Sequence, residues 1–456
     1  MNSRRDYAKL AADGGSGGTG PWVAPRGQAA SEDRPLPNGA AVLPTSIAGM
    51  TLEQLRDDYH DRLFNQYLPF WEKGGYDREL GGFMCELNDD GSVAGDEKCI
   101  LFQGRGIWIY SFLYNHFGND RSWLDVARKS KDFMIDHMYA GRGKWRERVR
   151  RDGSETGVLG TNVYGGLYAA AGLIEYYKAT QEKKCLELAK ESIWAAVRAY
   201  DDPAYTGALI PGDDYVEVPR GARSQGHSMM IVWPGTQLLQ VDNDPRAAEL
   251  VAKHVDLIVN KFWNPEYGIV NEYLLHDYRR VPGAETYMYS GHSLETLWMV
   301  ADEALRIKER KLFDTAFGRF HRLLEMCWDY VFEGWASDDF LVFADGKHPG
   351  GPKYDVKTMW AHCEILLACM MCLEYTGATW AKEWYERTRA YALRTMPVAG
   401  HGVWRQAVDR LGKDLQRAGT SAKRKCNFHP PRYMMRNILS LERMIEHRGA
   451  LTGFPG

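Results

Sequence analysis

From Met50 to near the C-terminus, apolar residues recur at three- and four-residue spacing, the period of a helix with one face on a core. The period runs through TLEQLRDDYHDRLFNQYLPFWEK, RSWLDVARKSKDFMIDHMY, KKCLELAKESIWAAVRAY and PRAAELVAKHVDLIVNKFW. It continues in YGGLYAAAGLIEYYKATQ, HSLETLWMVADEALRIK, FDTAFGRFHRLLEMCWDYVFE, AKEWYERTRAYALRTM and RYMMRNILSLERMIEHR. With the segments around Trp108, Trp233 and Trp360, the pattern predicts about twelve helices. They fall in pairs. A short link such as GND, QEK, DND or GA joins two helices, and a longer Gly-rich segment leads to the next pair. Short links favour antiparallel neighbours, and about six such hairpins in a ring make an all-α (α/α)6 toroid. Two local features stand out. Pro234 predicts a kink or an end to its helix, and GKWRERVRRDGS alternates around an Asp-Gly turn as a β-hairpin does. Residues 1–48 are rich in Gly, Pro, Ala and Ser and show no period, so a flexible segment precedes one domain at 49–456.

Composition narrows the partners. A net charge of −3 argues against nucleic acid and anionic membrane, since neither is drawn to such a molecule. Aromatic residues make up 12% of the chain, which suits packed helices or rings stacked on sugars. The 8 cysteines do not form a disulfide framework in a chain of 456 residues; Cys369 and Cys372 form a CxxC inside a helical pattern and read as core thiols. No apolar run approaches the roughly 18–20 residues that span a bilayer. SRRDY resembles the front of a twin-arginine export signal, but an apolar segment does not follow it, which points to the cytoplasm. No GxGxxG follows a strand and no GxxxxGK[ST] occurs, so no nucleotide fold is indicated.

Unusual polar residues gather at equivalent places, near the start of one helix of each pair after the opening one. They are Gln103 and Arg105; Asn162 and Tyr164; Arg223, Ser224 and His227; His292 and Glu295; Trp360, His362 and Glu364; and His429 and Arg432. In a toroid these ends meet at one mouth, so side chains from successive hairpins converge on a single pocket. Each has a plainer reading alone. His429, before Pro430 and Pro431, can simply satisfy backbone, and His292 with Glu295 three residues on can be a surface pair. Arg105 is harder to set aside, because a guanidinium in a helix full of aromatics is costly to bury unpartnered.

At these residues the chain resembles the N-acylglucosamine 2-epimerase family. FQGRGIWIYSFLY is similar to that family's Gln-x-Arg-x-x-Trp helix, and YSGHSLETLW to its Gly-His-x-x-Glu-x-x-Trp motif. KTMWAHCEILLACMMCLEYTG resembles its Lys-x-Trp-Trp-Pro-His-x-Glu-Ala helix, with Met359 and Ala361 in place of a Trp and the Pro; KCNFHPPR resembles its Phe-His-x-Pro-Arg signature. The motifs stand in order from about residue 50 to the end.

The resemblance implies an (α/α)6 fold and epimerisation at C2 of an open-chain aldose through an enediolate. It implies His292 and His429 as the two acid/base groups on opposite faces, Glu295 tuning His292, and Arg105 stabilising the enediolate. It implies substrate binding by Trp360, His362, Glu364, Asn162, Tyr164 and Arg432. His227 falls one residue from a histidine found in disaccharide 2-epimerases and aldose isomerases, and its role stays open between binding and none. No metal or redox cofactor is implied; ATP serves some members as an activator, and a homodimer is compatible. The His-x-Pro-Arg ending favours N-acetylglucosamine and N-acetylmannosamine as the sugar pair. The alternatives are another aldose or a disaccharide, by epimerisation or aldose–ketose isomerisation, then a glycoside hydrolase or a non-catalytic sugar-binding toroid.

Overall fold

Among the described residues, twelve helices divide into two kinds by how much of their circumference is apolar. The computed structural model describes residues 42–157, 163–208, 216–335, 342–343, 356–414 and 423–454. In chain order the helices are α1 (Leu52–His60, prolonged by π-helical turns to Gly75), α2 (Ile100–His116), α3 (Arg121–Phe133), α4 (Val163–Thr180), α5 (Lys183–Tyr200) and α6 (Gln225–Leu238). Then come α7 (Pro245–Asp256), α8 (Ser290–Ile307), α9 (Arg310–Cys327), α10 (Met359–Thr376), α11 (Thr379–Thr395) and α12 (His429–Glu446). The odd-numbered helices bury one stripe and show a charged face, whereas α2, α4, α6 and α10 are buried nearly all round. A helix apolar on every side has to be enclosed on every side. The even-numbered helices accordingly form an inner ring in which each packs on the next and α12 returns to α2. The (α/α)6 toroid expected from the pattern is the fold.

Five pairs are sequential hairpins, and the ring is closed by the first and last helices, α1 packing on α12. Close approach sets the inner spacing: a Cβ at Gly104 of α2 would lie 2.6 Å from the Ala169 nitrogen of α4, so only glycine lets these helices meet. The longer connections carry short antiparallel ladders. Strands Glu97–Cys99, Arg223–Ser224, Tyr287–Met288 and Val356–Thr358 each run directly into, or within two residues of, an inner helix. Each pairs with a segment beyond the next outer helix, as Cys99 does with Arg148 and Thr358 with Ala407. Two clamps on buried aspartates repeat this plan: Lys98 and Arg151 on Asp77, at 3.0 and 2.8 Å, and Lys357 and Arg410 on Asp329, at 3.1 and 2.8 Å. Inner-helix starts are thereby tied to the frame.

Some expectations change. Leu43 and Ile47 are buried, and Leu43 donates to the Gly449 carbonyl at 3.0 Å, so packed chain begins before residue 49. The helix of Pro234 does not end there but runs on to Leu238, its neighbours enclosing it throughout. The hairpin around Asp152 and Gly153 forms, but its arginines are all paired, Arg146 with Glu155, Arg148 with Glu97, Arg150 with Asp96 and Arg151 with Asp77. Cys369 and Cys372 are buried free thiols in α10. Among the described residues no helix is long and apolar enough to cross a membrane.

Candidate active site

The starts of the inner helices meet around one indole. Trp360, in the first turn of α10, has its ring centroid 6.0 Å from that of His292 on α8 and 5.5 Å from that of His429 on α12. Tyr289 lies 4.4 Å from His292, and Tyr164 of α4 lies 6.2 Å from it. Gly226 makes room for this corner, since a Cβ there would stand 2.8 Å from His292 Nδ1 and collide with the Tyr164 hydroxyl. His292, Trp360, Tyr164 and Arg105 keep some exposure, whereas His429 is only 6% exposed. The mouth is therefore aromatic with a histidine on either flank.

His429 rests on a buried ionic group. Its Nδ1 lies 2.7 Å from Glu364 Oε1, and a carboxylate can only accept, so Nδ1 carries the hydrogen and Nε2 the lone pair. Glu364 also accepts from the Trp298 indole N–H at 2.9 Å and from Arg432 Nη2 at 2.6 Å. The same Nη2 donates to Glu295 Oε1 at 2.7 Å. Arg432 is buried beneath the rings of Phe428, 4.3 Å away, and Trp298, 5.1 Å away, which face its cation. Burial, with the Arg105 and Arg432 guanidiniums close by, holds the His429 imidazole well below the ordinary histidine range. It is a neutral base at physiological pH.

Arg105 differs from Arg432. It donates from Nη2 to the Tyr168 hydroxyl at 2.9 Å and lies 4.3 Å from that ring, and no carboxylate among the described residues pairs with it. A permanent cation of this kind suits an oxygen that acquires charge. Glu295, Glu364 and His429 bring ligand atoms within 4.8 Å of one another, but Arg432 already sits between the carboxylates, so the group does not suit a metal ion.

Four sequence assignments are corrected. Glu295 does not serve His292; it points to the α12 side and holds Arg432. Arg432 does not face substrate, because its guanidinium is 1% exposed and locked between two carboxylates. Glu364 stands behind His429, fully buried, and cannot reach a sugar. His362 faces the outer layer: Nδ1 donates to the Thr358 carbonyl at 2.6 Å, Nε2 accepts from the Trp335 N–H at 3.0 Å, and the ring stacks on Tyr391 of α11. Burial pushes its imidazole down to about 4.

The other candidates divide. Trp360 and Tyr164 both border His292. His227 is fully buried edge-on to Tyr164, without a partner for either ring nitrogen among the described residues, and burial pushes it down to about 3. Asn162 lies outside the described residues. Gln103 clamps the backbone of Phe83, and Arg223 turns outward to Asp201.

The sequence reading misses Glu272. This wholly buried carboxylate has Oε2 3.4 Å from His292 Nδ1 and accepts from Ser224 Oγ at 2.6 Å and Gln225 Nε2 at 3.0 Å. It lies in GIVNEYLL, where a lone charge in apolar surroundings is the same signal that singles out Arg105. It was hidden because it sits on a connection and not at a helix start.

This geometry can be set beside known proteins. Residues 81–429 match the family model described as N-acylglucosamine 2-epimerase (GlcNAc 2-epimerase). The chain belongs to the N-acylglucosamine 2-epimerase family. It is 25% identical to the N-acylglucosamine 2-epimerase of Mus musculus over 81% of this chain and 87% of that one. It is 21% identical to the cellobiose 2-epimerase of Bacteroides fragilis over 83% of this chain and 97% of that one. The solved cellobiose 2-epimerase of Bacillus thermoamylovorans shares the fold, with a TM-score of 0.71 at 17% identity over 85% of this chain and 99% of that one. As a member of the N-acylglucosamine 2-epimerase family, the protein is a carbohydrate epimerase or isomerase.

Proposed function

We propose that the protein interconverts N-acetylglucosamine and N-acetylmannosamine by proton transfer at C2 between two histidines. The observation that carries this reading is the pair of imidazoles on either flank of Trp360, each with Nδ1 turned to a buried carboxylate. Inverting a carbon next to a carbonyl needs a base on one face and an acid on the other. A neutral His429 takes the C2 hydrogen, Arg105 balances the charge that develops on the carbonyl oxygen, and His292 returns a proton from the opposite face. In the reverse direction the roles exchange. Proton transfer of this kind consumes neither a metal nor a redox group. The His-x-Pro-Arg ending, carried by His429 to Arg432, supports the N-acetylated pair.

Epimerisation or isomerisation of mannose or a disaccharide is the second reading, favoured by the likeness to cellobiose 2-epimerases and sharing the same enediolate. Hydrolysis is disfavoured, because Glu295 and Glu364 both bind one arginine nitrogen and neither is available as a proton-carrying acid. The test incubates purified protein with a panel of reducing sugars in D2O and scores C2 by NMR. Deuterium at C2 of N-acetylglucosamine with appearance of N-acetylmannosamine is the expected result. Turnover only of unacetylated sugars shifts the assignment to the second reading, and no incorporation in any sugar overturns it.

A further inference from the structure

We infer that Glu272 is the positioning residue for His292, making the site two histidine–glutamate units that face each other across Trp360. This inference rests on the two-histidine reading above. Glu272 is entirely buried in the connection before α8, yet no lysine or arginine among the described residues pairs with it. Instead Ser224 and Gln225, at the start of α6, donate to its two oxygens at 2.6 and 3.0 Å. Gln225 is itself held by Thr296, whose hydroxyl donates to its Oε1 at 2.6 Å. That chain fixes the direction of the amide, so its N–H must point at Glu272. The carboxylate is thus fixed by contacts from two helices, α6 directly and α8 through Thr296, and left with its charge facing His292 Nδ1 at 3.4 Å. A contact of this length is within the range from which catalytic hydrogen bonds tighten in the reacting complex. Gly226 lets the Nδ1 edge of the ring lie against the start of α6, because any side chain there would strike it.

The consequence is an assignment of protons. His429 is kept neutral by burial and two guanidiniums, so it is the base at rest and the proton for the opposite face comes from His292. When His292 is an imidazolium, Glu272 is the counter-charge on its Nδ1–H, and Nε2–H is the proton delivered to C2. The titratable groups around His292 are Tyr164 from α4, His227 from α6, His429 from α12 and the adjacent Tyr289. Among these, none supplies a negative charge at neutral pH.

The experiment compares wild type and Glu272→Gln in D2O, following both C2 exchange and inversion for each epimer. The expected result is one-sided. Inversion falls about 100-fold with KM changed less than about threefold, while the epimer deprotonated by His429 still exchanges its C2 hydrogen at near wild-type rate. A role confined to stability would lower exchange and inversion together, and that outcome, or wild-type inversion, overturns the inference. Should Glu272→Gln fail to fold by circular dichroism, Ser224→Ala releases one oxygen of Glu272 without touching His292. It is expected to give the same one-sided loss at about tenfold, and equal losses there also overturn the inference. Failure of the underlying reading looks different: wild type itself then incorporates no deuterium at C2.

Discussion

The His429 and His292 sides of the mouth use the same residue types in opposite ways. At His429 the glutamate is shared: Glu364 serves the imidazole, Trp298 and Arg432 at once, and Arg432 binds Glu295 as well. At His292 the glutamate is held by neutral groups alone, Ser224 and Gln225. On the first side the carboxylate's charge is largely cancelled by arginine, so burial wins and the imidazole stays neutral. On the second the charge is uncancelled and the ring more open, with its side chain 15% exposed against 7% for His429. Two imidazoles at one mouth thus differ in whether the partner carboxylate has another cation to satisfy.

The largest effect is expected from the histidines themselves. His292→Asn and His429→Asn each lower net epimerisation by about 10⁴-fold or more. They are not equivalent, since His292→Asn keeps C2 exchange for the epimer that His429 deprotonates, and His429→Asn loses it. NMR in D2O separates the two, and identical exchange in both variants would remove the distinction between the sides. Next in size is Glu364→Gln, which lowers kcat by about 10²–10⁴-fold because it frees the tautomer of His429. It also costs on the order of 2 kcal/mol of stability through weakened bonds to Arg432 and Trp298, read as a lower midpoint in urea.

A pH profile sharpens the comparison with a smaller effect. In His292→Asn, exchange driven by His429 depends on a neutral imidazole, whose pKa is lowered in the fold, so the rate stays flat as pH falls through 6.5 and drops only well below it. A fall centred near the ordinary histidine value would show that burial, with Arg105 and Arg432, does not hold this ring neutral. The smallest kinetic effect belongs to His362→Gln, which changes kcat less than about threefold and costs roughly 1–2 kcal/mol by disturbing the bonds to Thr358 and Trp335. His362 is held neutral down to about 4, so the stability linked to it is present above about 6.5 and lost as pH falls toward 4. Its variant should therefore show a shallower fall in Tm over that window.

The extent of the fold legible in sequence follows from periodicity. Helix number and the ring of inner helices are read from apolar spacing and link length, and the structure brings His292, Trp360 and His429 together at the inner-helix starts, with Glu364 behind His429 and not at the mouth. Periodicity says which residues share a face, but not which neighbour that face meets. His292 and Glu295 are three apart on α8, and the pairing looks secure; yet about 60° of helical rotation separates them, enough to turn one to the mouth and the other to α12. His362 and Trp360 are only two apart on α10, so about 160° of rotation separates them, one facing Tyr391 and the other the two histidines.

What the sequence by itself determined is the helical ring, the residue types at its mouth and the two histidines. What only the tertiary structure decided is the partnership of each charge: Glu364 with His429, Arg432 between Glu295 and Glu364, and Glu272 opposite His292. Each of these pairs joins different elements of the ring or its connections, up to 137 residues apart in the chain. Local propensity acts over one or two helical turns, whereas a buried charge takes whichever partner the packed ring brings within about 3 Å.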